Sequence, residues 1–450
     1  MLKRILICIL GMVLLNSCAA VPVSHTGFLL SAAVYPEMAA YPNEEDYIGA
    51  SGIFDDEGFS EVYDAWRADK RTQQDQPEGY NDGLEDFYSR TIQTFLTDAD
   101  GANRVYSPLN VFMALGMLAE VTDGESREQL LSLLGVEDME TLRNKAKAIW
   151  NANYSNDGAV TSILASSLWL DQDISYTKET LDRLAEIYYA SSFQGEMGSQ
   201  AYNKALQDWL NEQTGGMLEE QTQDVNMDAE TILAMATTVF YRAKWQDEFS
   251  ESKTAEGEFH LAAGDTVTCD FMHRSGSSHY YWEDNFAAVS LGLNGSGEMW
   301  FLLPDEGVSV DELLTDTDTM DFLFDKETER NSKYLIVNMA VPKFDVVSDI
   351  ELSKGLRELG ITDVFDGSKA DFSPVTDEAE EIFLSDVKHA ARVTIDEKGC
   401  TAAAYTVMRM AGAAMPPEEE VDFVLDRPFV FVITGADGMP LFVGVVNDPA

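Results

Sequence analysis

Cysteine is scarce in this chain: Cys8, Cys18, Cys269 and Cys400 are the only four in 450 residues. Two of them sit in the first eighteen positions, so a disulfide-stapled scaffold is excluded. Cys269 and Cys400 read as free thiols, which suits a reducing or anaerobic niche, and no CxxC or CxxH spacing offers a metal its ligands. Histidine is equally sparse. His25, His260, His273, His279 and His389 form no HExxH, and the chain contains neither a GxSxG nucleophile elbow nor a phosphate-cradling GxxxxGK[ST]. The residues therefore point to no enzyme class, no metal and no cofactor. Positive charge is also short, with 30 Lys and Arg against 79 Asp and Glu and a formal net charge of −49. Phosphate backbones need a basic stripe, so nucleic acid is excluded as a partner. Arg143, Lys145 and Lys147 make only a modest strip that reads as a solvated helix face.

Long apolar runs are absent too. The longest N-terminal one, Ile5 to Leu15, falls well below the roughly 20 residues that span a bilayer and follows Lys3 and Arg4, as in a secretory signal. Leu15, Asn16, Ser17 and Cys18 then resemble a bacterial lipobox, which makes residues 1–17 a lipoprotein signal peptide and Cys18 the lipidated first residue of the mature chain. Plain secretion after cleavage near Ala19 or Ala20 is the alternative. The expected location is extracellular, anchored to the bacterial membrane or cell surface. Removing residues 1–17 takes away Lys3 and Arg4 and moves the formal charge from −49 to −51. Residues 18–80 carry acidic clusters and the tract TQQDQP at 72–77 with no sustained period, and read as an acidic tether in which Glu61 to Arg71 form at most a short helix. The compact domain is expected over 81–450, with Leu84, Phe87, Ile92 and Phe95 as the apolar face of its first helix.

What the chain has in abundance, near its C-terminus, is small residues. EKGCTAAAYTVMRMAGAAMPP at 397–417 lies between two stretches of strand character yet offers almost nothing to a core. Upstream, His389, Ala391, Val393, Ile395 and Glu397 alternate with Ala390, Arg392, Thr394 and Asp396, the period of two of a strand with one covered face. Downstream, 421–425, 427–433 and 441–446 resume β-branched and aromatic residues around a turn at 436–438, a C-terminal hairpin. Roughly twenty residues between such strands is far beyond the usual connection of about 4 to 6. The segment reads as a loop able to become a strand.

Motifs spread along the chain resemble the serpin family: NRVYSPLN at 103–110, ASSLWL at 165–170, TTVFYRAKWQDEF at 237–249, LLPDEG at 302–307, VPKF at 341–344, ADFS at 370–373, SDVKH at 385–389, DEKG at 396–399 and DRPF at 426–429. The resemblance implies an α+β fold of about nine helices around three β-sheets with an exposed reactive-centre loop. It also implies inhibition of serine, or cysteine, proteases by a suicide-substrate route rather than enzyme activity. The protease attacks the loop, forms an acyl-enzyme, and is carried along as the cleaved loop enters the main sheet. The partner would be one protease in a covalent one-to-one complex with a monomeric inhibitor.

Carried over residue by residue, the hinge is Glu397, Gly399, Cys400, Thr401, Ala402, Ala403, Ala404, Tyr405 and Thr406. Cys400 and Thr401 stand where the family usually has Thr and Glu. Ser107, Pro108, Asn110 and His389 resemble the shutter beneath the opening sheet, and Trp245 the breach where the loop first enters. Thr237 replaces the Asn that usually bonds to the shutter histidine, and a hydroxyl offers fewer donors and acceptors than an amide. Counting from the hinge, the inward residues would be Cys400, Ala402, Ala404, Thr406, Met408, Met410 and Gly412, none of them charged. Family spacing puts the reactive bond at Ala413 and Ala414, just before Pro416 and Pro417. Small residues there point to elastase-like or subtilisin-like enzymes, with Met410 or Met415 as secondary positions. The fourteen-residue strand up to that bond spans roughly 46 Å, and cleavage after Arg409 would shorten it by about 13 Å. The alternative is a non-inhibitory serpin acting as a surface binding or chaperone-like protein.

Overall fold

The computed structural model describes residues 24–49, 53–99, 101–223, 225–294, 297–324, 330–378, 382–384, 387–400 and 417–450. Cys18, the hinge residues Thr401, Ala402, Ala403, Ala404, Tyr405 and Thr406, and the bond at Ala413 and Ala414 lie outside them. Eleven helices are present among the described residues: α1 Asp56–Gln74, α2 Glu85–Leu96, α3 Pro108–Val121, α4 Gly124–Leu133, α5 Met139–Asn153, α6 Lys178–Ile187, α7 Gln200–Gln213, α8 Glu219–Thr222, α9 Val310–Thr315, α10 Thr317–Phe324 and α11 Ser353–Glu358. The surplus over the expected nine is accounted for in part by α8, a single turn, and by α1, which forms in the segment read as a tether.

The main sheet runs β1 (Leu29–Ser31), β5 (Ala190–Gly195), β4 (Thr161–Asp171), β6 (Leu233–Lys244), β14 (Gly399–Cys400), β13 (Lys388–Asp396) and β12 (Phe344–Glu351), with β3 (Ser155–Asn156) appended to β4. The remaining strands are β2 (Arg104–Tyr106), β7 (Ala255–His260), β8 (Thr266–Trp282), β9 (Phe286–Gly292), β10 (Glu298–Pro304), β11 (Ser332–Pro342), β15 (Glu420–Val424), β16 (Phe429–Thr434) and β17 (Pro440–Val446). They are joined by hydrogen bonds in one nine-stranded sheet through the 17-residue β8, whose length pairs with β7 and β11 before its last two residues reach β9. Divided at β8, it counts as two sheets, which with the main sheet make the three that the resemblance implies. The near-continuous apolar runs of β16 and β17 follow from their burial on both faces.

One large apolar core lies between the main sheet and the sheet behind it, and a second sits on the sheet's outer face under α7. There Tyr202, Leu206, Trp209 and Leu210 cover Trp169 and Phe193, whose rings stack at 4.3 Å. Ser107 caps α3 through its hydroxyl, and Pro108 opens the helix where a missing N–H costs nothing. That local preference fixes the chain at the point where α3 passes beneath the main sheet.

Residues 24–80 depart from the reading as a free tether. A 3-10 turn at Ser24–Phe28 packs on α7, with Phe28 against Tyr202 at 5.0 Å. β1 then adds an outer strand to the main sheet, pairing Leu29 with Phe193 and Ser31 with Ser192. Tyr35 lies 5.3 Å from the Trp150 ring, and α1 docks through Trp66 and Lys70. Lys70 donates to Asp157 at 2.7 Å, and both side chains are almost fully buried. The signal was the spacing of Phe59, Tyr63, Trp66 and Lys70, one face of a helix at steps of four, three and four. Its aromatics bury more apolar area than the surrounding acidity suggests.

Candidate functional site

β6 and β13 run parallel in the centre of the main sheet, and among the described residues no ladder joins them directly. β14 lies between their ends. Gly399 pairs with Lys244 and Cys400 with Ala243 on one side, while Cys400 pairs with Ile395 and Gly399 with Asp396 on the other. The turn that makes this possible is built by Asp396, whose Oδ1 accepts from the N–H groups of Lys398 at 2.8 Å and Gly399 at 3.1 Å. Gly399 has φ +154, and a Cβ there would come within 2.4 Å of the Ala243 carbonyl oxygen and 2.6 Å of the Lys244 Cα. Only glycine allows the chain to turn this close to β6.

Trp245 closes that end of the sheet. It is 1% exposed, its indole N–H donates to the Asp396 carbonyl at 2.8 Å, and its backbone N–H donates to the Lys398 carbonyl at 3.1 Å. Glu397 is held beside it, accepting from the Thr254 hydroxyl at 2.7 Å and from Lys343 at 3.2 Å. Burial works to raise its pKa, and those donors outweigh burial, leaving the carboxyl below its usual range. The Cys400 side chain enters the core, 2% exposed with Sγ 3.8 Å from the sulfur of Met299. Burial, and then the nearby Asp396, push its thiol well above the usual range, so in this position it is a small apolar group rather than a nucleophile.

Some residues along the strand, His389 meets α3. Its Nε2 accepts from the Ser107 backbone N–H at 3.0 Å, the Ser107 hydroxyl accepts from the Asn110 N–H at 3.3 Å, and the Tyr106 ring lies 5.3 Å away edge-on. Ser107, Pro108, Asn110 and His389 are thus brought together, while no hydrogen bond joins Thr237 to His389 among the described residues. An accepting Nε2 requires the uncharged ring. Burial lowers its pKa to about 4 from an ordinary 6.5. The unfolded chain takes up this proton near pH 6.5 and the folded one only near 4, so the stabilisation is complete above pH 6.5 and is lost as pH falls toward 4. The loss is about 3 kcal/mol. Denaturant midpoints at pH 7 and pH 4.5 should therefore separate by more in the parent chain than in His389→Gln, and equal separations would refute the assignment.

Two further groups lie on the outer face. Arg392 on β13 forks onto Asp345 of β12, with Nε to Oδ1 at 2.8 Å and Nη2 to Oδ2 at 2.5 Å, and donates through Nη1 to the Met217 carbonyl at 2.8 Å. It ties the segment following α7 to β12 and β13.

The model of the serpin family, the serine protease inhibitors, matches residues 82–449. The chain belongs to the serpin family. It is 29% identical over 369 residues to Serpin-ZX of Arabidopsis thaliana, covering 78% of this chain and 94% of that protein. It is 28% identical over 374 residues to Alpha-1-antiproteinase 2 of Equus caballus, covering 81% and 86%. Among solved structures, the thermophilic serpin tengpin in its native state superposes with a TM-score of 0.73 at 24% identity, covering 83% of this chain and 95% of that one. Thyroxine-binding globulin in complex with thyroxine superposes at 0.71 and 19% identity, covering 82% and 99%. At those identities the structural likenesses show the fold alone. In this serpin the family match begins at residue 82, so β1 and α1 lie outside it.

Proposed function

We propose that this serpin is an inhibitor of elastase-like or subtilisin-like serine proteases that acts by loop insertion, is cleaved between Ala413 and Ala414, and is held outside the bacterial cell as a monomer by lipid on Cys18. The observation that carries the reading is β14: the hinge residues Gly399 and Cys400 already form a rung between β6 and β13. Continuing that antiparallel register along β6 sets Ala402 opposite Tyr241, Ala404 opposite Val239 and Thr406 opposite Thr237. On β13 the same residues meet Val393, Ala391 and His389. Tyr241, Ala391, Val393 and His389 are buried, so small uncharged residues at 402, 404 and 406 are what this slot accepts.

Incubating the mature chain with neutrophil elastase and running a denaturing gel tests the reading. A band at the summed mass, stable to denaturant, is the expected result. Full cleavage of the loop with the protease still active would sink it and leave the non-inhibitory reading. Lipidation is tested separately, by the mass of the N-terminal peptide at Cys18 from cells.

A further inference from the structure

We infer that the outer strand β1 lies against the bilayer, with Leu29, Leu30 and Val34 in contact with neutral lipid, so that the pole of the main sheet where insertion ends faces the membrane. The inference rests on the anchored, loop-inserting reading above. It starts from the length of the leash. Only five residues separate Cys18 from Ser24, where the chain is already fixed to the domain: the His25 ring packs edge-on to Phe193 at 5.6 Å, and Ala33 N–H donates to the Ser191 hydroxyl at 3.1 Å. Six peptide steps reach at most about 21 Å. A lipid on Cys18 therefore holds this edge of the sheet beside the head groups rather than letting the domain swing.

The side chains at that edge fit the position. Leu29, Leu30 and Val34 are 44%, 49% and 80% exposed, three large apolar groups in a row of six residues on an otherwise acidic protein. With a net charge of −49, the chain is repelled by anionic lipid, which leaves apolar contact with zwitterionic lipid as the attractive term.

The strand registers say which pole this is. Leu29 pairs with Phe193, Phe193 with Trp169, and Trp169 with Ala234, so β1 is level with the start of β6. β14 enters at Lys244, ten residues and about 33 Å away. In the register begun by β14, Arg409 comes opposite Ala234, and Ala413 passes about 10 Å beyond the end of β6. Three strands lie between that track and β1, a lateral offset of about 19 Å. Insertion thus carries the acylated protease from the pole remote from the membrane to the pole beside it, where inhibitor and bilayer confine it.

The test uses the mature chain with Cys269→Ser, coupled through Cys18 to a maleimide lipid in phosphatidylcholine nanodiscs; Cys400 is buried and stays unmodified. Amides of residues 29–34 should exchange at least about fivefold more slowly on discs than in the uncoupled chain at the same concentration, and those of β12, on the opposite edge, should not change. Leu29→Ser, Leu30→Ser and Val34→Ser together should abolish the slowing while coupling persists. Equal exchange on and off discs overturns the inference, and slowing without lipid would assign the edge to a second copy of the chain. In the second arm, energy transfer from dye-labelled elastase to acceptor lipid should rise when the covalent complex forms. A covalent band without that rise overturns the inference; no covalent band defeats the inhibitory reading and leaves the exchange arm to decide the docking.

Discussion

Ala404→Arg should turn the inhibitor into a substrate, raising the number of inhibitor molecules consumed per protease inactivated at least about tenfold. Under the proposed inhibition the outcome of loop cleavage is a race between insertion and deacylation, so anything that slows insertion would divert the acyl-enzyme to hydrolysis. Continuing the register that β14 begins, the proposed insertion would set residue 404 inward, between Val239 and Ala391, the latter 4% exposed. A guanidinium there loses its water with no anion opposite, at a cost of several kcal/mol. Each 1.4 kcal/mol added to the insertion barrier slows it about tenfold. Ala403→Glu is the control, because the same register would turn 403 outward beside Arg392, where the new carboxylate would meet a cation. Stoichiometry measured by titration against elastase should stay near the parent value for Ala403→Glu. An unchanged value for Ala404→Arg, or equal losses in both variants, would overturn the register.

The covered face of β13 was legible in the sequence because that strand has a buried face and a half-buried one. His389, Ala391, Val393 and Ile395 alternate with polar or smaller residues, and all four are buried. The apolar face of α2 and the C-terminal hairpin were legible for the same reason: a stripe or run that must be covered announces its period. Two things were not. Gly399–Cys400 pairing with both neighbours depends on Asp396 folding the chain back, a contact over three residues that has no periodicity. The extension was misread because its contacts are long-range. Asp157 has nothing around it in sequence to show that it awaits Lys70, 87 residues away, and a composition rich in acid suggests solvation even where aromatics pack.

Asp157→Ala should release α1 from the domain, with a local cost of about 3 to 5 kcal/mol. The Asp157 carboxylate is fully buried and works in two directions: Oδ2 accepts from Lys70 at 2.7 Å, and Oδ1 accepts from the N–H groups of Ala159 at 3.0 Å and Val160 at 2.9 Å. Removing it leaves an ammonium 7% exposed with the Trp66 ring 5.2 Å away, and that contact cannot replace an anion. The cheapest escape is for α1 to lift away, since the two cores of the domain close without it. Amides of 56–74 should then lose protection while those of β16 and β17 keep theirs. Lys70→Met should do less, because the apolar stem still packs on Trp66 and the carboxylate keeps its backbone donors. Protection in α1 equal to the parent's would show that other contacts hold the extension. The release leaves the anchor where it is. The turn at Ser24–Phe28 keeps its contact with α7 and β1 its pairing with β5, so the leash between Cys18 and Ser24 is unchanged, and on discs the energy transfer gained on complex formation should match the parent's while the covalent band on the gel remains.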